Sequence, residues 1–154
     1  MNLSFENSKI KGKVVLSDSL HESPALLKDK SLYKFIWVLS GRLELDVDHQ
    51  SVVLEAGQLM TLSHLHHLEF VRVEGEYLSL LFNGNFYCIY GNDHEVSCNG
   101  LLFHGSSHVV IFDLSDDEKR KIRTLTDIMR EEFESRDHLQ DEMLRVLLKR
   151  FIIL

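Results

Sequence analysis

The chain has one proline, Pro24, two cysteines, Cys88 and Cys98, and one tryptophan, Trp37, in 154 residues. With so little proline and only 8 glycines, it is no linker or low-complexity polymer. Two cysteines do not build a disulfide scaffold. No stretch reaches the roughly 18–20 apolar residues that a membrane helix needs, and the opening MNLSFENSKIKG lacks the apolar core of a signal peptide. A cytoplasmic location with reduced thiols is therefore expected. Bases are also scarce: 17 Lys and Arg face 24 Asp and Glu, a net charge of -7. Duplex affinity comes from cations that displace counterions, so this chain by itself should not bind DNA. There is no G-x-S-x-G turn and no phosphate-cradling glycine loop, and Ser106-Ser107-His108 has a sufficient reading as a turn. Nucleophilic catalysis is not expected, and no cofactor is implied.

What is present divides by pattern. Up to Leu114 the chain reads as short strands: KGKVVLS, YKFIWVLS, RLELDVD, SVVLEA, QLMTLS, HLEFVRV, YLSLLFN and HVVIFDL are rich in β-branched, Leu or aromatic residues. Leu43, Leu45 and Val47 alternate with charges and so face a core. Ser40-Gly41, Asp48-His49-Gln50, Ala56-Gly57 and Glu74-Gly75 read as turns between strands. Such spacing suggests a sandwich or barrel.

After Leu114 the period becomes helical. Ser115-Asp116-Asp117-Glu118 is a capping box, followed by an apolar stripe of Ile122, Leu125, Met129 and Phe133. Ser135-Arg136 interrupts it, and Asp137 to Gln140 has the spacing of a second cap. The final helix carries Met143, Leu147 and Phe151 four apart, with Leu144, Leu148 and Ile152 beside them. It ends on Phe151-Ile152-Ile153-Leu154, with no glycine stop and no polar tail. Either a partner covers this helix or a natural continuation is missing. The expected organisation is a β domain over 1–114 and a two-helix segment over 115–154.

A β-rich segment followed by two helices resembles the N-terminal half of AraC-type transcription regulators. The run YKFIWVLSGRLELDVDHQSVVLEAGQLMTLSHLHHLEF looks like their cupin barrel: a strand ending at Gly41, an alternating strand, then Leu54-Glu55-Ala56-Gly57-Gln58-Leu59-Met60-Thr61-Leu62. Glu95 to Gly105 is also similar. The resemblance runs from about residue 10 to the end. It implies a mainly β, cupin-like jelly roll followed by two α-helices. In the family a helix-turn-helix domain follows; it is absent here, so the chain reads as the sensor and dimerisation half, with DNA reached only through that missing part.

The same resemblance places the small-molecule site inside the barrel. Trp37, Tyr33 and His67 are the candidate ligand-lining residues, and the effector is unidentified, with a sugar among the candidates. Phe35, Trp37 and Leu39 share one face of their strand, Ile36 and Val38 the other. Both faces are apolar, so alternation does not say which points inward. Leu144, Leu147, Leu148 and Phe151 are expected to exceed what one barrel can cover and to pair with a second copy. Glu142, Arg145 and Lys149 would flank that seam.

Metal sites need separate treatment. Among the 9 histidines, His64, His66 and His67 with Glu69 imitate the ligand motif of enzymatic cupins. Aligning Gly41 with the glycine that ends the first cupin motif puts its ligand positions near Lys28, Lys30 and Lys34, and an ammonium group is no ligand. One remaining histidine, His67, does not hold a metal. Cys88, His94, Cys98 and His104 form a looser set with donor chemistry that suits zinc. The reading without metal, both cysteines as small apolar residues, is preferred. The alternative functions are a metal-dependent cupin enzyme, a dioxygenase or isomerase, and a stand-alone carbohydrate-binding cupin.

Overall fold

The computed structural model describes residues 2–9, 11–64, 66–84, 86, 110–135 and 139–153. In chain order these form β1 (Asn2–Asn7), β2 (Gly12–Ser17), a 3-10 turn at Leu20–Glu22, α1 (Pro24–Lys28), β3 (Leu32–Val47), β4 (Gln50–Glu55), β5 (Gln58–Leu62), β6 (Leu68–Asn83), β7 (Val110–Asp113), α2 (Asp116–Glu134) and α3 (Gln140–Ile153). The strands make one antiparallel sheet in the order β1-β2-β6-β3-β5-β7, with β4 also on β3. The chain is thus mainly β with two C-terminal helices, as expected. β1 has no counterpart in the sequence reading. It is an edge strand with only Leu3 and Phe5 turned toward the core, too faint an alternation to see.

Two expected turns are not turns. Ser40-Gly41 lies inside β3 and Glu74-Gly75 inside β6, and both 16-residue strands run straight through. Gly41 and Gly75 sit opposite each other with φ of 72° and 135°. A Cβ on Gly41 would lie 1.8 Å from the Glu74 carbonyl oxygen, and one on Gly75 2.0 Å from that of Ser40. Glycine here lets two backbones touch and bend together; it does not reverse the chain. Ala56-Gly57 does divide β4 from β5, and it lies at the same level: Ala56 N–H donates to Gly41 O (3.1 Å) and Gly57 N–H to Val38 O (3.0 Å). Gly41 in β3, Gly75 in β6 and Gly57 in the β4–β5 turn, all at positive φ, therefore form one line of bending across the sheet.

The pairing of β3 with β6 also shifts between Val38 and Ser40. One extra residue exchanges the two faces of a strand. That is why even positions Ile36 and Val38 share an inner cluster with odd positions Leu43, Leu45 and Val47, together with Leu54, Met60, Leu62, Tyr77 and Leu81. A type I′-like turn closes the β3–β4 hairpin, with Asp48 and His49 both at positive φ (51° and 70°).

The other face of the sheet's first half carries Tyr33, Phe35, Trp37, Leu78, Leu80 and Phe82. Ile122, Met129 and Phe133 of α2 and Leu144, Leu147, Leu148 and Phe151 of α3 cover it. This corrects the expectation for the last helix. All four of its named residues are buried within the chain, at 0–8% exposure. The reason is the aromatic bed beneath them: the Phe151 ring sits 4.9 Å from that of Phe35 and 5.3 Å from Trp37. Arg145 does not flank a seam either. Its Nε donates to Phe86 O (2.8 Å), and its guanidinium lies over the Phe86 ring and pairs with Asp141. Among the described residues, Met143 and Val146 of α3 are exposed apolar side chains, as are Leu139 just before that helix and Ile128 on α2.

The capping box of α2 is present in full: Ser115 Oγ accepts from Glu118 N–H, and Glu118 Oε1 accepts from Ser115 N–H. Asp137, half of the expected second cap, lies outside the described residues. Gln140 instead closes the preceding helix, its Nε2 donating to Glu132 O (2.9 Å) and Phe133 O (3.1 Å).

Candidate functional site

The line of bending and the first half of α2 enclose a cavity of about 370 Å³. Its sheet side is Trp37 and Leu78, which pair across β3 and β6, with Val38, Leu39 and the Ala56-Gly57 turn. Leu114 closes one end; its N–H donates to Gly57 O (2.9 Å), stitching the entry of α2 to that turn. The helix side is Lys119, Ile122, Arg123, Thr126 and Asp127, spaced i, i+3, i+4, i+7 and i+8, hence one face of α2. The capping box sets where that face begins.

Trp37, Leu78 and Ile122 are buried and make an apolar floor; Lys119, Arg123 and Asp127 are exposed and make a charged rim. Lys119 Nζ stands 3.8 Å from Asp116, a long and exposed pair. Among the described residues neither Arg123 nor Asp127 forms an ion pair. The Thr126 hydroxyl donates to Arg123 O (3.0 Å) and is already used. A Cβ on Gly57 would come within 2.9 Å of Lys119 Cε, so glycine there leaves room for the lysine chain. An apolar body enclosed on two sides, with charge at one edge, is the build of a small-molecule site.

The three sequence-named ligand residues do not converge. Trp37 lines the cavity, on the helix-covered face and not on the inner cluster. Tyr33 shares that face but is spent on packing: its ring stacks on Phe82 (5.4 Å) and meets His64 edge-on (5.1 Å). His67 is exposed on the far side of the bend, its Nε2 3.0 Å from Glu69 and its N–H donating to Asp48 Oδ1. The alternation in β3 separated Trp37 from Val38 correctly. It did not reveal Lys119, Ile122 and Arg123 as its partners, because helical spacing shows that residues share a face without showing what that face meets.

The histidine cluster is dispersed. Ser63 N–H donates to His66 Nδ1 (3.0 Å), with Ser63 Oγ at the same distance, while His64 turns to Tyr33 and His67 to Glu69. Among the described residues no group of three or more His, Cys, Asp or Glu side chains is gathered to hold a metal ion. Cys88, His94, Cys98 and His104 lie outside the described residues.

Of the lysines aligned with cupin ligand positions, Lys34 is buried on the inner face. Among the described residues its Nζ donates only a long bond, to Leu32 O (3.4 Å). Burial pushes its pKa down, and nearby Asp29 offsets part of that.

Among the described residues, no helix is long and apolar enough to cross a membrane. No known family pattern and no curated protein matches the chain in sequence. Among solved structures it is similar to the AraC-like transcriptional activator CuxR, at 11% identity over 93% of this chain and 49% of that one, with a TM-score of 0.43. It is also similar to ToxT from Vibrio cholerae bound to (E)-4-(8-methylnaphthalen-1-yl)but-3-enoic acid, at 14% identity over 97% of this chain and 53% of that one, with a TM-score of 0.45. These structural neighbours are AraC-like regulators, and this chain spans about half the length of each.

Proposed function

We propose that this chain is the ligand-sensing half of an AraC-type regulator, without catalytic activity of its own. A small molecule held between Trp37 and α2 would set the position of the two C-terminal helices. One observation carries this reading: the cavity has one wall on the bent sheet and the other on α2. A ligand shifts a conformational equilibrium only by binding one arrangement better than another. A ligand touching two elements at once does so whenever they move relative to each other. α2 and α3 share the core cluster with Trp37, so a displacement of α2 reaches α3 through Met129, Phe133, Leu148 and Phe151. From there it passes to whatever follows, in this reading a helix-turn-helix DNA-binding half.

The reading includes a cupin-type barrel folded around the inner cluster. It also includes a homodimer, assigned to the exposed Met143 and Val146 of α3 with Leu139 just before it, and not to the four buried residues.

Hydrogen exchange with and without a compound that raises the melting temperature tests the coupling. The expected result is altered exchange in both α2 and α3, abolished by Trp37→Ala. Protection confined to the cavity wall, with α3 unchanged, would reduce the chain to a binding module without transmission.

A further inference from the structure

We propose that residues 18–31, which carry the 3-10 turn and α1 onto the inner cluster of the sheet, form a pH-sensitive flap whose catch is the hydrogen bond between Tyr77 and His21. The flap packs on the opposite face from the Trp37 cavity, so the proposal is independent of the sensor reading. Little else holds this segment down. α1 is five residues long, has no side-chain cap and buries no residue fully. Leu20 is the one buried residue of the 3-10 turn, and Leu26 and Leu27 are only partly buried against the inner cluster. The contacts of Ser19 and Ser23 with Asn2 are exposed hydrogen bonds, and the ion pair of Asp29 with Lys13 is long, at 3.9 Å. A segment with so few buried contacts opens locally at low cost, so one catch weighs heavily.

The catch has a direction. Tyr77 is 1% exposed, and its oxygen already accepts from the backbone of Leu20 and from the His21 N–H (3.0 Å). Its own proton is left to donate, and His21 Nδ1 stands 2.6 Å away to receive it. The hydroxyl, buried and pushed up to about 12, keeps that proton at any physiological pH. The catch therefore needs a lone pair on Nδ1. A protonated imidazole donates from both nitrogens. Its Nδ1–H would meet an oxygen whose lone pairs are filled, and the Tyr77 O–H would lose its acceptor in a buried place, which is costly. The charged groups acting at the catch are Asp18 and Glu22. Glu22 Oε1 lies 3.7 Å from His21 Nε2 and is placed to pair with the charged ring once it leaves Tyr77. Phe70, whose ring is 5.8 Å from the imidazole on the sheet side, offers no counter-charge. Acid should open the flap.

Amide hydrogen exchange, corrected for its intrinsic pH dependence, tests this at about pH 8 and about pH 5.5, on either side of the range where imidazoles titrate. In the unmodified chain the exchange of residues 18–31 is expected to rise about tenfold at the acid pH, with β3 and β6 unchanged. His21→Gln does not titrate, so its flap should exchange at one rate at both pH values. Tyr77→Phe has no catch, and its flap should exchange fast at both. If Tyr77→Phe fails to fold, the His21→Gln comparison decides alone. Equal protection of residues 18–31 at the two pH values in the unmodified chain, or a rise that persists in His21→Gln, overturns the proposal. So does a rise spread evenly over the sheet, which would be general acid unfolding.

Discussion

Gly41 and Gly75 face each other where β3 and β6 bend, and neither position has room for a side chain. Gly75→Ala is expected to destabilise the chain by about 3 kcal/mol or more, since it adds both a positive-φ strain and a backbone clash. Gly84→Ala, with nothing within 4 Å of its added Cβ, should change stability by less than about 0.5 kcal/mol. Urea unfolding of the pair measures both; equal effects would show that the bend tolerates a side chain. Lys34 makes a second residue-scale prediction. Its pKa is lowered by burial, partly offset by Asp29. Below the lowered native value, lysine is charged in both states, and the buried charge costs stability in full. Between that value and the ordinary 10.5, the unfolded chain binds more protons than the native one, so stability rises with pH. Lys34→Met should therefore stabilise by about 1–3 kcal/mol at neutral pH, and the gain should shrink as pH passes through that window. Tyr77, buried and pushed up to about 12, works the other way: it keeps its proton in the native state and lowers stability as pH rises above 10. Comparing variant and wild type at each pH removes that contribution. A gain that does not change with pH would mean that Lys34 acts through packing alone.

At the scale of elements, the start of α2 is written into local chemistry. Ser115 and Glu118 exchange hydrogen bonds, and acids in the first turn match the helix dipole. Ser115→Ala should cost about 1 kcal/mol, read as a lower urea midpoint, and should loosen the helix that walls the cavity. An unchanged midpoint would mean that packing by Ile122, Met129 and Phe133 alone sets the helix. The capping box and the stripe were legible because both are encoded within a few residues. The strands were legible as apolar segments, and so were the joints at Asp48-His49 and Ala56-Gly57, whereas Gly41 and Gly75 were taken for joints and are not. A glycine reads as a turn unless another glycine lies opposite, and Gly75 is 34 positions from Gly41. The same holds for the face exchange at Val38 and Ser40, which exists only relative to β6.

For the molecule as a whole, the consequential feature is that the last helix lies on its own sheet. Leu148→Asp places a charge in a fully buried position and should cost about 4 kcal/mol or more. It should unfold the chain and not merely separate subunits. Val146→Asp, on the outward face, should leave the fold intact and dissociate the proposed homodimer. Light scattering with circular dichroism tests both variants. A wild-type monomer at every concentration, or a dimer that survives Val146→Asp, would end the dimer assignment, and a folded Leu148→Asp chain would contradict the observed burial.

The pattern of residues along the chain was enough to determine the order of strands before helices, the helix start at Ser115, the inward side of Leu43, Leu45 and Val47, and the acidic net charge. Each of these depends on neighbours within a few positions or on charge summed over the chain. Tertiary structure alone decided that Trp37 faces α2 and not the inner cluster, that His67 stands apart from it across the bend, and that Lys119 and Arg123 share a cavity with it. It also decided that Leu144, Leu147, Leu148 and Phe151 are covered from within. These are contacts between residues far apart in sequence, and periodicity carries no information about which surface an amphipathic face will meet.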